Sequence, residues 1–187
     1  MTGIDDATAR AIHARLCPGP YLPKETLSVR QPWAWAIIHA GKTHENRTEA
    51  SIRLGGMREV VGRRICIHAG KGMTRDEYEE AAEFIRRLAG RCPPAADLER
   101  GGIIGTVRVS GLITTRLERE AETSPWFFGP CALLLADAEP CGFVGADGQL
   151  GMFRWQASGR RPVPPARWMR PSPAAEMPAQ GKQGELL

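Results

Sequence analysis

Apolar and polar positions alternate with two different periods along this chain, and the change of period marks its elements. Thr26-Leu27-Ser28-Val29 alternates with period two and predicts a first strand. Trp33, Ile37 and Ala40 then recur at helical spacing behind Gln31-Pro32, and Gly41 closes that helix. His44 to Thr48 reads as a short polar strand, and residues 50–62, with Gly55, Gly56 and Gly62, read as a loop. Arg64 to Ala69 is an apolar strand. Thr74 with Glu77 three residues on is a capping box, followed by a helix with Tyr78, Ala81, Ala82, Ile85 and Leu88 on one face and Gly90 at its end. Ile103 to Thr115 is strand-rich, with Gly105 and Gly111 at bends. Glu118 to Pro130 reads as a polar loop carrying Trp126-Phe127-Phe128. Cys131 to Ala136 and Leu150 to Trp155 are the last strands.

Five or six strands and two helices without regular βαβ alternation predict an α+β fold, a small mixed barrel rather than a doubly wound sheet. Three regions follow. Residues 1–24 are an appendage with one short helix over Asp5 to Leu16, broken at Cys17-Pro18-Gly19-Pro20. Residues 25–157 are the domain. Residues 158–187 are a Pro- and Ala-rich tail with few apolar anchors, expected to be disordered, in which Trp168-Met169 could dock.

Composition narrows the class. The 187 residues are 42% hydrophobic and 25% charged, which is ordinary globular usage. Cys17, Cys66, Cys92, Cys131 and Cys141 are odd in number and form no CxxC or zinc-finger spacing, so free thiols in a reducing cytoplasm are expected. No cofactor or metal set is evident, and no apolar run has the roughly 20 residues that cross a bilayer, so no membrane role is expected. Gly70-Lys71-Gly72-Met73-Thr74 lacks the spacing of a phosphate loop.

Charge is uneven. Residues 30–72 hold Arg30, Lys42, Arg47, Arg53, Arg58, Arg63, Arg64 and Lys71 against Glu45, Glu49 and Glu59. Residues 73–100 hold more acids than bases. A concentrated basic surface suits a phosphate-bearing partner, because screened charges act only over about 8–10 Å. Within that surface, Lys42-x-x-Glu45-x-Arg47 is the densest constellation. On a strand, Glu45 and Arg47 point to one face, and Lys42 at the preceding turn can join them. A carboxylate between two cations can orient a phosphate or a base edge; a lysine held near other cations can also serve as a base. A surface ion-pair cluster without function has the same sequence.

The chain resembles the ASCH family, which is related to the PUA fold. The resemblance rests on Leu27-Ser28-Val29-Arg30-Gln31-Pro32-Trp33-Ala34-Trp35-Ala36, Lys42-x-x-Glu45-x-Arg47, Ile65 to Lys71, Gly101 to Gly105, Ser124 to Pro130 and Gly148 to Phe153. It implies a PUA-like β-barrel whose cleft is lined by the Lys-Glu-Arg motif and takes RNA or a nucleoside- or nucleotide-like ligand. The expected ligand-binding residues are Ser28, Arg30, Trp33, Lys42, Glu45, Arg47, His68, Lys71 and Trp126. The resemblance also implies an alternative, a small hydrolase of the N4-acylcytidine amidohydrolase or ribonuclease-like type, with Lys42 as base and Glu45 or Thr43 as partner. His44 beside Glu45 is a further candidate base in the ribonuclease-like case. Two departures stand out. Gly41 abuts Lys42, where the family usually has an intervening residue. The amidohydrolase branch has Thr three residues after its lysine, where this chain has Glu45 and carries Thr43 directly after Lys42.

Overall fold

A computed structural model describes residues 21–170. The helix expected over Asp5 to Leu16 and the end of the tail lie outside the described residues. Six strands are formed among the described residues: β1 (Glu25–Val29), β2 (His44–Arg47), β3 (Arg64–Ala69), β4 (Gly102–Ile113), β5 (Cys131–Gly145) and β6 (Met152–Arg154). Four α-helices accompany them there: α1 (Trp33–His39), α2 (Glu49–Leu54), α3 (Arg75–Ala89) and α4 (Arg116–Ala121). Among the described residues, no helix is long and apolar enough to cross a membrane. Cys66, Cys92, Cys131 and Cys141 are free thiols.

The sheet order is β2-β5-β4-β3-β1-β6. β1 and β3 run parallel, and every other pair is antiparallel. β4 and β5 are long enough to curl, and their ladder slips between Ile103 and Gly105, Thr106 and Arg108, and Val109 and Gly111. Slips of this kind bend a strand and raise its twist. The curl brings edge strand β2 round to β1, where Arg47 Nη2 donates to the Ser28 carbonyl at 2.9 Å. Met152 N donates to Gly55 O at 2.7 Å, which ties β6 to the segment after α2. The result is an α+β half-barrel, consistent with the PUA-like barrel expected. Its interior is filled by Leu27, Val29, Ile37, Ile65, Ile67, Val107, Val109 and Leu133, all buried.

Several boundaries differ from the sequence reading. Residues 50–62 are not only loop. Thr48 accepts from Ser51 N, Ile52 is buried, and α2 forms ahead of Gly55. α4 replaces part of the expected polar loop, because Thr115 and Glu118 make a capping box. None of its residues is buried, so no apolar period announced it. β5 continues nine residues past Ala136. Its outer half pairs with β4 but is buried only at Gly145, and Asp137 (φ 51) and Pro140 interrupt the pattern. The last strand is shorter than expected, and Leu150 is outside it and 99% exposed.

Residues 158–170, expected as the start of the tail, lie against the domain. Val163 N donates to Arg100 O, Arg100 Nη2 donates to Pro164 O, and Met169 is buried with Met73, Ala95 and Leu98.

α3 has the expected capping box at Thr74 and Glu77, a left-handed Gly90 at its end, and Ala81, Ala82 and Ile85 facing inward. Thr74→Ala removes an acceptor for a helix N–H and is expected to lower stability by about 1 kcal/mol in urea denaturation.

Candidate functional site

One face of the half-barrel holds a cavity of about 640 Å³, within the size range of small-molecule pockets. Four stretches of chain build it. The end of β1 supplies Ser28 and Arg30, and the first turn of α1 supplies Trp33. β2 supplies Glu45, Asn46 and Arg47. The end of β3 supplies His68, and the turn after it supplies Gly70 and Lys71. The loop between β5 and β6 supplies Asp147 to Leu150. Phe128 stands on the rim.

Lys42 enters because the chain turns at Gly41, whose φ is +68. Its side chain is 1% exposed. Nζ donates to Glu45 Oε2 at 2.7 Å and to the His44 carbonyl. An ammonium has three N–H donors, so one is left over by these two bonds, and Nζ stands 5.7 Å from the centre of the Trp33 ring. Glu45 Oε1 is 3.1 Å from Arg47 Nη2. The carboxylate therefore sits between two cations, and both are held in place by it. Arg47 Nε is buried and has no hydrogen-bond partner among the described residues. A buried donor without a partner is costly.

His68 is buried at the base of the cavity. Its Nε2 is 3.1 Å from the Ala146 carbonyl and its Nδ1 is 3.1 Å from Ser28 Oγ. Burial pushes its pKa below the usual histidine value; the hydrogen bond to Ala146 opposes this, Lys71 adds to it, and Asp147 opposes it. Above them runs the β5–β6 loop. A Cβ on Gly148 would lie 2.5 Å from His68 Cε1 and 2.7 Å from Ser28 Oγ, so only glycine lets the chain pass this close. Asp147 Oδ1 accepts from Lys71 Nζ and from Arg160 Nη1, each at 2.7 Å, and the Lys71 bond holds its carboxyl below the usual carboxylate range.

The expected site residues divide clearly. Ser28, Arg30, Trp33, Lys42, Glu45, Arg47, His68 and Lys71 all line this cavity. Thr43 does not; it is exposed, and its hydroxyl is 2.9 Å from His44 Nδ1. His44 Nε2 in turn lies 3.2 Å from Glu122 Oε2. Trp126 does not line it either. It is buried against Phe84 near Ala36 and Ile85, and the third member of its cluster, Phe128, faces the cavity instead. Phe128 is 56% exposed and stands 5.6 Å from Trp33, ring to ring. Asn46 fixes it there, because Asn46 Oδ1 accepts from Phe128 N and Gly129 N, each at 3.0 Å. Sequence reasoning missed Asn46, Phe128 and Asp147. The triple-aromatic run was a signal for Phe128, but the expectation fell on Trp126, which does not line this cavity.

The basic stretch 30–72 is also split. Arg30, Lys42, Arg47 and Lys71 line the cavity. Arg30 is exposed and ion-paired with Glu77. Arg63 reaches Glu25, and Arg64 reaches Thr106, the Asp137 carbonyl and Glu139. Arg53 and Arg58 border a second cavity of about 790 Å³ beside Thr48, Glu49 and Thr114. That cavity is larger, but its charged side chains are exposed and none is held in a buried ion pair.

No family model matches the chain. No curated protein matches it either. A similar solved structure is that of a mutant ASCH protein from Zymomonas mobilis, 23% identical over 66% of this chain and 76% of that one, at a TM-score of 0.35. A likeness at that level bears on neither the site nor its ligand.

Proposed function

We propose that this chain is an ASCH-type domain that binds RNA or a nucleotide-like ligand in the cavity around Lys42. The observation that carries the reading is the Lys42–Glu45–Arg47 arrangement, a carboxylate pinning two cations that both line the cavity. An arginine and a lysine so held meet a phosphate without first being ordered, which removes part of the entropy loss on binding. Trp33 and Phe128 supply flat apolar surface on which a base can stack, worth about 1–3 kcal/mol per base. The volume of about 640 Å³ suits one nucleotide rather than a long tract, so a strand would enter by a single residue or an end.

The test is fluorescence anisotropy with a labelled single-stranded RNA, with a nucleoside monophosphate as competitor, at about 50 and 200 mM salt. The wild type is expected to bind and to weaken as salt rises. Arg47→Met and Lys71→Ala are each expected to flatten the salt slope by about 0.7, the value for one phosphate contact on a single strand. Competition by the monophosphate identifies the free nucleotide as sufficient; its absence identifies a strand. Binding that survives both substitutions and is lost in Arg53→Ala with Arg58→Ala would move the site to the second cavity and overturn the reading.

A further inference from the structure

We propose that Ser28 and His68 form a nucleophile–base pair, which makes the cavity a site of carboxylic ester hydrolysis. The geometry assigns the protons. The Ala146 carbonyl can only accept, so the His68 Nε2 facing it at 3.1 Å carries the hydrogen. His68 Nδ1 is then the acceptor in the neutral ring, and Ser28 Oγ, 3.1 Å away, donates to it. This is a hydroxyl on a base, with the base oriented from behind by a third group, which is the general arrangement of an activated serine. The backbone carbonyl takes the orienting place that a carboxylate often holds. Burial favours the neutral ring, in the same direction as the assignment.

Both partners line the cavity. Ser28 is half-buried at the cavity wall and His68 lies beneath it. Arg47 Nη2 donates to the Ser28 carbonyl, and Arg47 and Lys42 line the same cavity as Ser28 and His68. The positive charge of Arg47 and Lys42 is the stabilisation on offer to a developing oxyanion.

The step balances without an oxidant or a metal. Ser28 Oγ attacks the ester carbonyl carbon and passes its proton to His68 Nδ1. The tetrahedral oxyanion collapses, the bond to the alcohol oxygen breaks, and the departing alcohol takes that proton. Water then attacks the acyl-serine, giving a proton to His68 Nδ1. The acyl–Oγ bond breaks, Ser28 recovers the proton, and a carboxylic acid leaves. The substrate class is an ester bearing an anionic group. Only that anionic preference rests on the nucleotide-binding reading.

The test uses the full chain and two probes, a fluorophosphonate and 4-nitrophenyl acetate. The expected result is one fluorophosphonate adduct per chain, located by mass spectrometry on the tryptic peptide Glu25–Arg30, whose one serine is Ser28. A burst of nitrophenolate should accompany it. Ser28→Ala should lose both, and His68→Asn should slow labelling at least tenfold. Should His68→Asn fail to fold, Ser28→Ala and Ser28→Cys decide, the cysteine being expected to alkylate faster with iodoacetamide than Cys92 of the same chain. No adduct, or an adduct that persists in Ser28→Ala, would overturn the dyad. RNA binding by the wild-type preparation is measured alongside. Binding without labelling sinks the dyad alone; labelling without binding sinks the nucleotide reading and leaves the dyad.

Discussion

Lys42→Met is expected to lower stability by about 3 kcal/mol, because it strips a buried carboxylate of its closer partner. Lys42 is 1% exposed and Glu45 10%, so little water reaches the pair. Arg47, 3.1 Å from the other carboxylate oxygen, compensates in part and keeps the loss at the lower end of the usual range for a broken buried pair. The same change removes a cation that lines the cavity, so binding of a nucleotide or RNA probe should fall at least tenfold. The double change Lys42→Met with Glu45→Gln separates the two effects. With no carboxylate left unpaired beside the substituted lysine, stability should return to within about 1 kcal/mol of wild type, while binding stays lost. Urea denaturation and anisotropy on the three proteins check this. Recovery of binding in the double variant would mean that the pair only holds the fold.

The second large effect is expected at Gly148. A Cβ there meets His68 Cε1 at 2.5 Å and Ser28 Oγ at 2.7 Å, so Gly148→Val cannot be accommodated without moving the loop. Asp147 to Leu150 are exposed, and they can lift without opening the core. Stability should therefore change by less than about 1.5 kcal/mol, as for other surface loop changes. The cavity loses part of its wall, and with it at least tenfold in ligand affinity, about 1.4 kcal/mol. Gly105 gives the contrast. A Cβ there meets Ile38 Cδ1 at 2.7 Å and the Glu139 carbonyl at 2.6 Å inside the sheet, so Gly105→Ala should lower stability more than Gly148→Val while leaving the cavity lining intact. Thermal melts and ligand titrations on both variants check the reversal of order.

Much of this arrangement was legible in the sequence where residues obey a period or a capping rule. β1, β3 and α3 follow from Leu27 and Val29, from Ile65 to Ala69, and from the Thr74–Glu77 box. Lys42, Glu45 and Arg47 were also legible as a group, because a turn and a two-residue strand spacing fix them relative to each other. What failed was whatever depends on distant chain. α4 has a capping box but no buried face, so periodicity was silent. The outer half of β5 is held by its ladder to β4, which no local pattern records. Trp126 and Phe128 are two residues apart, and only the packing of Phe84 decides which is buried and which meets the cavity. Ser28 and His68 are forty residues apart, and they meet because β1 and β3 pair in parallel with Ser28 opposite His68. Both residues were expected to touch a ligand, but their hydrogen bond was not.

The measurement that tests the central claim most directly is a backbone amide NMR titration of the wild-type chain with a short single-stranded RNA and, separately, with a nucleoside monophosphate. Shifts should concentrate at Ser28 to Trp33, Lys42 to Arg47, His68 to Lys71 and Asp147 to Leu150, the four stretches that wall the cavity. Shifts confined to Arg53, Arg58 and Thr114, or none at ligand concentrations that saturate ordinary nucleotide-binding domains, would contradict it.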